Sequence, residues 1–207
     1  MATRKYEQRL RADAAADTRR RILDAVYQRL RDAPTEPVSV ERVAALAGVS
    51  RSTIYLIFGS RAGLFDALGD DLRKNGGFDQ GVDATREGDA RASLLESIRI
   101  AVPIFATHRD VLRVLYSMAQ LDPDAVGGAV ERMGEARAAG LAWHAQRLGE
   151  QGALRPDVTV ADAAHLLWAI TGFEFFDQLY TGQALSADIV ADLIAATAER
   201  AMLRANG

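Results

Sequence analysis

The sequence predicts an all-α fold of about nine helices, divided between a small N-terminal helical unit and a larger helical body. Three observations carry that prediction. Alanine, leucine and arginine, all helix formers, dominate, whereas alternating runs of β-branched and aromatic residues are scarce. Apolar positions recur at three- and four-residue intervals. Between these segments stand glycine stops, proline breaks and Ser, Thr or Asp caps. With 49% apolar and 26% charged residues, the chain can build a core and lacks the composition of a disordered protein.

Composition also narrows the chemistry. There is no cysteine, which excludes disulfides and thiolate reactions. The longest uncharged stretch near the C-terminal third, residues 163–173, is too short to span a bilayer, and the N-terminus lacks the apolar segment of a secretory signal. A cytoplasmic protein with no membrane partner is the expectation. The net charge of −3 is unevenly spread: residues 1–75 hold 14 Lys and Arg against 10 Asp and Glu, and residues 76–207 hold 11 against 18. A basic first third on an acidic body suggests a polyanion at one end, although a solvated helix face gives the same imbalance.

Residues 1–16 read as a flexible basic arm, with Arg4, Lys5, Arg9 and Arg11 offset by Glu7 and Asp13. A helical extension driven by alanine propensity is the competing reading. Asp17 or Thr18 is placed to cap a first helix ending near Asp32, with Ile22, Leu23, Val26, Tyr27 and Leu30 on its buried stripe. Arg19, Arg20 and Arg21 then fall in its first turn, where the dipole disfavours cations, and a nearby phosphate would account for them. Pro34 and Pro37 end this helix, and Ser39 can cap the next.

Residues 38–65 are the most informative stretch. Val40, Val43, Ala44 and Ala47 share one helical face. Gly48 permits the left-handed backbone that stops a helix in one residue, and Ser50 can cap the helix that follows. That helix, residues 51–58, has hydroxyl and basic groups at its start and apolar anchors at Ile54, Ile57 and Phe58. Held by its far half, it would offer its near end to a polar partner, as a helix-turn-helix offers its recognition helix to the major groove. Gly59 and Ser60 then stop it and cap a fourth helix bearing Leu64, Phe65, Leu68 and Leu72, with Arg61 at its start. Asn75, Gly76 and Gly77 break the chain, and the segment to Gly88 is the natural boundary. The division is therefore 1–16 arm, 17–75 N-terminal domain with its motif at about 39–58, and 76–207 body.

The body reads as five helices. Asp89 caps one containing Leu94, Leu95, Ile98, Val102 and Phe105, kinked at Pro103. Thr107 to Asp110 resembles a capping box opening a second helix through Val111, Leu112, Leu115 and Met118. Asp122 and Pro123 start a third that runs to Gly149 or Gly152. Thr159 and Asp162 form a second box before a fourth, residues 159–180, which is apolar nearly all round. Ser186 caps the last, with Ile189, Val190, Leu193, Ile194, Thr197 and Met202 on a wide apolar face. Two such helices need more cover than a monomer offers, which points to a helical dimer interface, against a fully internal helix.

An enzyme is disfavoured. His108, His144 and His165 share no metal-ligand spacing, and no H-E-x-x-H, G-x-S-x-G or phosphate-binding glycine loop occurs, so neither catalytic nor metal residues are assigned. No cofactor is implied.

The order Val43-Ala44, Ala47-Gly48-Val49-Ser50, Thr53-Ile54-Tyr55, Phe58, Ser60-Arg61 and Leu64 resembles the TetR family of transcriptional regulators. The match is weak over the first helix and strong over residues 38–64; beyond Gly76 only length and helix count agree. The resemblance implies an N-terminal three-helix DNA-binding domain with a helix-turn-helix, followed by a C-terminal helical ligand-binding and dimerisation domain. It further implies a homodimer on a palindromic operator and a small-molecule effector that releases the DNA. By the same resemblance Ser50, Arg51, Ser52 and Thr53 begin the recognition helix, Tyr55 reaches a phosphate, and Arg61 replaces the usual lysine in a phosphate contact. Ser39 completes the expected DNA-binding set. Three positions depart from the family pattern: Ser52 where Gly is common, Ile57 where an aromatic or His is common, and Ala62 where Glu is common. The loss at Ile57 removes one phosphate contact and shifts weight to Arg51 and the arm. An effector site in the body has Phe105, Tyr116, Met118, Trp143, Trp168 and Phe173 as candidate lining, each more readily read as plain core, since apolar residues at helical spacing are buried in any case. Glu174 and Asp177, if turned inward, would favour a cationic or hydroxylated ligand. The alternative is a helical scaffold that binds a protein partner and no DNA.

Overall fold

The computed structural model describes residues 2–78 and 88–205, with side chains from Leu10 onward except Arg11. Nine α-helices lie among the described residues: α1 Ala2–Asp32, α2 Val40–Ala47, α3 Arg51–Phe58, α4 Arg61–Asn75, α5 Ala90–Leu121, α6 Gly128–Glu150, α7 Val160–Ile170, α8 Phe173–Tyr180 and α9 Ala187–Met202. A π-helical turn, Pro123–Gly127, precedes α6. No strand occurs among the described residues; a single antiparallel bridge joins Leu154 to Leu203. None of the described helices is long and apolar enough to cross a membrane.

The all-α class stands, but several boundaries move. Residues 2–16, expected as a flexible arm, form the first half of α1, so the helical alternative is the one adopted. Neither Asp17 nor Thr18 caps anything; Thr18 Oγ1 donates back to the Ala14 carbonyl at 2.8 Å, as a hydroxyl inside a helix does. Arg19 to Arg21 therefore sit mid-helix, and the dipole argument for a phosphate there fails. The arm's Arg4, Lys5, Arg9 and Arg11 side chains, and most of the boundary expected before Gly88, lie outside the described residues.

In the body, the two helices expected around Pro103 and Thr107 are one, α5. Thr107 Oγ1 donates to the Pro103 carbonyl at 2.9 Å, so its hydroxyl continues the helix instead of capping a new one. Conversely, the single helix expected over residues 159–180 breaks at Thr171 and Gly172 into α7 and α8. Arg137 holds the break: its Nη1 donates to the Trp168 carbonyl at 3.0 Å and to Thr171 Oγ1 at 3.3 Å. Thr159 and Asp162 do form a reciprocal capping box, and the Thr159 hydrogen bonds hold the Asp162 carboxyl below its ordinary pKa.

The chain forms two compact units, one of residues up to Asp71 with Arg113–Val130, the other of Leu72–Leu112 with Glu131–Gly207. In the first, Ile22, Leu23, Val26 and Leu30 of α1 are buried with Val40, Val43, Ala44 and Ala47 of α2, Ile54 of α3, and Leu64, Phe65 and Leu68 of α4. Burial of the α3 anchor rests on Ile54; Ile57 and Phe58 are only half-buried. In the second, Phe173, Phe176, Val190, Ile194 and Met202 are buried, and α9 packs against both α7 and α8.

Candidate nucleic-acid interface

Local chemistry sets the turn between α2 and α3. Ser39 caps α2 by accepting from the Arg42 amide at 3.2 Å. Gly48 adopts φ 65° and ψ 37°, and its amide closes the last turn of α2. Ser50 then caps α3, its Oγ accepting from the Thr53 amide at 3.1 Å. The same Oγ lies 2.7 Å from Ser52 Oγ and 2.8 Å from Thr53 Oγ1, so three hydroxyls gather at the N-terminus of α3.

α1 secures this pair of helices with its arginines. Arg21 Nη1 donates to the Ala47 carbonyl at 3.1 Å, placing a cation at the C-terminus of α2, where the dipole favours it. The Arg19 guanidinium lies 5.0 Å from the centre of the Phe58 ring. Arg29 is buried and ties down the α1–α2 connection through Glu36 at 2.7 Å and the Ala33 carbonyl at 2.9 Å. Sequence reasoning missed Arg29 because its partners lie in an irregular loop.

Anchored by Ile54, α3 leaves Ser50, Arg51, Ser52 and Tyr55 exposed and Thr53 half-buried. Arg51 pairs with Glu41 at 2.7 Å, and its guanidinium lies 6.0 Å from the Tyr55 ring centre. Ser39 is exposed, with its hydroxyl used as a cap. Arg61 stands at the start of α4, with Nη1 on Asp122 Oδ2 at 2.6 Å and the guanidinium 5.4 Å from the Phe65 ring centre. The structure thus brings the α3 residues together and shows Arg61 engaged in an ion pair that its sequence gave no sign of, 61 residues away.

The six candidate effector residues do not form one group. Phe105 and Phe173 share an aromatic cluster with Phe78 and Phe176, at ring-centre distances of 5.3–5.8 Å from Phe105, and Tyr180 stacks on Phe176 at 5.0 Å. Trp168 is exposed beneath the Arg137 guanidinium at 3.7 Å, and the half-buried Trp143 lies 4.9 Å from that of Arg147. Tyr116 and Met118 are half-buried members of the other unit. Glu174 is exposed, and Asp177 accepts from Arg109 at 3.1 Å and from Thr181 at 2.6 Å, so neither carboxylate is turned inward unpaired. Among the described residues no group of His, Asp and Glu is arranged to hold a metal.

Residues 22–68, which span the end of α1 through most of α4, match the profile of the family described as bacterial regulatory proteins, tetR family. NalD of Pseudomonas aeruginosa, the secondary repressor of the MexAB-OprM multidrug efflux pump, has a similar solved structure: 23% identity over 93% of this chain and 100% of that one, with a TM-score of 0.73. The chain shares that fold, and residues 22–68 carry the tetR-family segment. SmeT, the repressor of the Stenotrophomonas maltophilia multidrug efflux pump SmeDEF, also has a similar fold at 16% identity, with 92% of this chain and 94% of that one covered and a TM-score of 0.73. A complex of SmeT with triclosan gives 0.72 at 17% identity, over 91% of this chain and 93% of that one. No curated protein matches the chain. These likenesses establish a shared fold.

Proposed function

We propose that this chain is an operator-binding transcriptional repressor that is released from DNA by a small molecule. One observation carries the reading: a Gly48-stopped, Ser50-capped helix pair that buries Ile54 while exposing Ser50, Arg51, Ser52 and Tyr55. Base reading is assigned to Ser50 through Thr53, and phosphate contact to Tyr55 and Arg61, in a DNA-binding domain of residues 17–75. Residues 76–207 serve the effector and the dimer.

Homodimerisation is supported by apolar side chains left open on α7 and α9: Leu166 is 37% exposed, Trp168 42%, Ile189 50% and Leu193 43%. A second copy would cover them with the same surface, and a two-fold dimer would meet a palindrome whose half-sites lie ~34–36 Å apart. For the effector, Phe105 packs ring against ring on the buried Phe173 and Phe176, and a flat apolar molecule would enter by parting those rings and replacing their contacts. The complex of SmeT with triclosan is consistent with that class of ligand. Such a molecule acts by preferring the protein's DNA-free arrangement, and linkage then requires that DNA weaken its binding in turn.

A gel shift on the DNA upstream of the protein's own coding sequence, repeated across a salt series, separates this from the helical scaffold. A regulator binds with an affinity that falls steeply as salt rises, whereas absence of binding at every salt would leave the scaffold.

A further inference from the structure

We propose that Leu56 reads the C5-methyl group of a thymine in the major groove and is a specificity-determining residue of α3. The inference rests on the DNA-binding reading and extends it beyond the hydroxyl end of the helix. Leu56 is 86% exposed, whereas Ile54, two residues earlier, is fully buried. At 100° per residue, Ser52 and Leu56 stand roughly 160° and 200° around the helix from Ile54, on the strip directly opposite the anchored face. Tyr55, exposed, flanks them. The strip that α3 turns away from its own core is thus one hydroxyl followed by one large apolar side chain.

The chemistry of the strip selects the occupant. Leu56 has no hydrogen-bonding group, so it cannot hold a phosphate or read a donor or acceptor on a base edge. The apolar feature of the major groove is the thymine methyl, which cytosine and the purines lack. A protein partner is a poorer fit, because Leu56 is a lone apolar residue among Ser52, Tyr55 and Arg51, far less than a stable interface needs. The Ser52 hydroxyl is turned toward the Ser50 cap at 2.7 Å, so polar and apolar readers are separated along one strip.

The test uses a duplex recovered by selection from random DNA, in which each thymine is replaced singly by uracil. Uracil keeps the pairing and the O4 acceptor and removes only the methyl. Affinity is measured by fluorescence anisotropy for the full-length protein, Leu56→Ala and Leu56→Met. The expected result is that uracil in place of one particular thymine weakens the wild type by about fourfold, the factor for losing one buried methyl. That substitution should leave Leu56→Ala unaffected and still weaken Leu56→Met. A side chain this exposed leaves the melting temperature unchanged when shortened, which checks the fold. Identical uracil sensitivity in wild type and Leu56→Ala, or a uniform loss on every duplex, would overturn the assignment while leaving DNA binding in place. Failure of the wild type to bind any duplex would overturn both.

Discussion

Replacing His144 by Gln should remove much of the acid sensitivity of this protein's stability. His144, on α6, is 3% exposed, and its Nε2 meets no hydrogen-bond partner. The Trp143 ring stands edge-on to it at 4.8 Å. Burial, and secondarily the charge of Arg147, lower its pKa from 6.5 to about 4. A histidine whose pKa is depressed on folding stabilises the fold fully above its unfolded pKa. That contribution is lost as pH falls from about 6.5 toward 4, where the unfolded chain takes up a proton that the folded chain refuses. At 1.36 kcal/mol per pKa unit, the loss is about 2 kcal/mol at pH 5 and approaches roughly 3 kcal/mol below pH 4. Urea unfolding at pH 7.5 and 5.0, followed by circular dichroism, measures it. The wild type should lose about 2 kcal/mol more than His144→Gln across that interval, since both share every other titrating group. Equal losses, or an imidazole seen by NMR to titrate near 6.5, would refute the reasoning.

Other perturbations follow from the same geometry. Gly48→Ala should lower stability by about 1 kcal/mol, read as a fall in melting temperature; the nearest atom to an added Cβ is Arg21 Nη1 at 3.8 Å, so the cost is the left-handed backbone and not a clash. Tyr55→Phe should weaken binding to all duplexes alike by about tenfold, and an altered sequence preference in competition assays would show that Tyr55 touches bases. Arg61→Ala should reduce the salt slope by about one phosphate's share, while Asp122→Asn, by freeing Arg61 from its 2.6 Å ion pair, should strengthen binding to every sequence. Leu193→Asp should convert a two-chain mass to a one-chain mass in light scattering, with the helical signal retained.

How far the sequence could be read depended on whether a feature was local. Caps at Ser39, Ser50, Thr159 and Ser186, and the stop at Gly48, were legible because the cap and its amide lie within three residues. So was the buried face of α2, since its spacing alone defines it. Thr18 and Thr107 misled for one reason: a hydroxyl can cap a helix or bond the carbonyl four residues back, and the choice depends on whether the preceding segment is already helical. At Thr171 and Gly172 the apolar run concealed a break that the distant Arg137 secures. These errors compensated: one body helix too many before Asp122 and one too few after Thr159 gave five, as many as lie among the described residues of the body. At the candidate interface, the Ser50–Thr53 end was readable from its caps, whereas the engagement of Arg61 by Asp122 and of Arg21 by the Ala47 carbonyl arises only from packing. Leu56 needed its exposure to be seen, because a leucine in a helix reads as core.

The central claim is that α3 reads DNA on behalf of a two-fold dimer. Selection of bound sequences from random duplexes tests it most directly. The account predicts enrichment of an inverted repeat whose half-site centres lie about one helical turn, ~34–36 Å, apart. Recovery of no enriched sequence, or of a single unrepeated site, would contradict it.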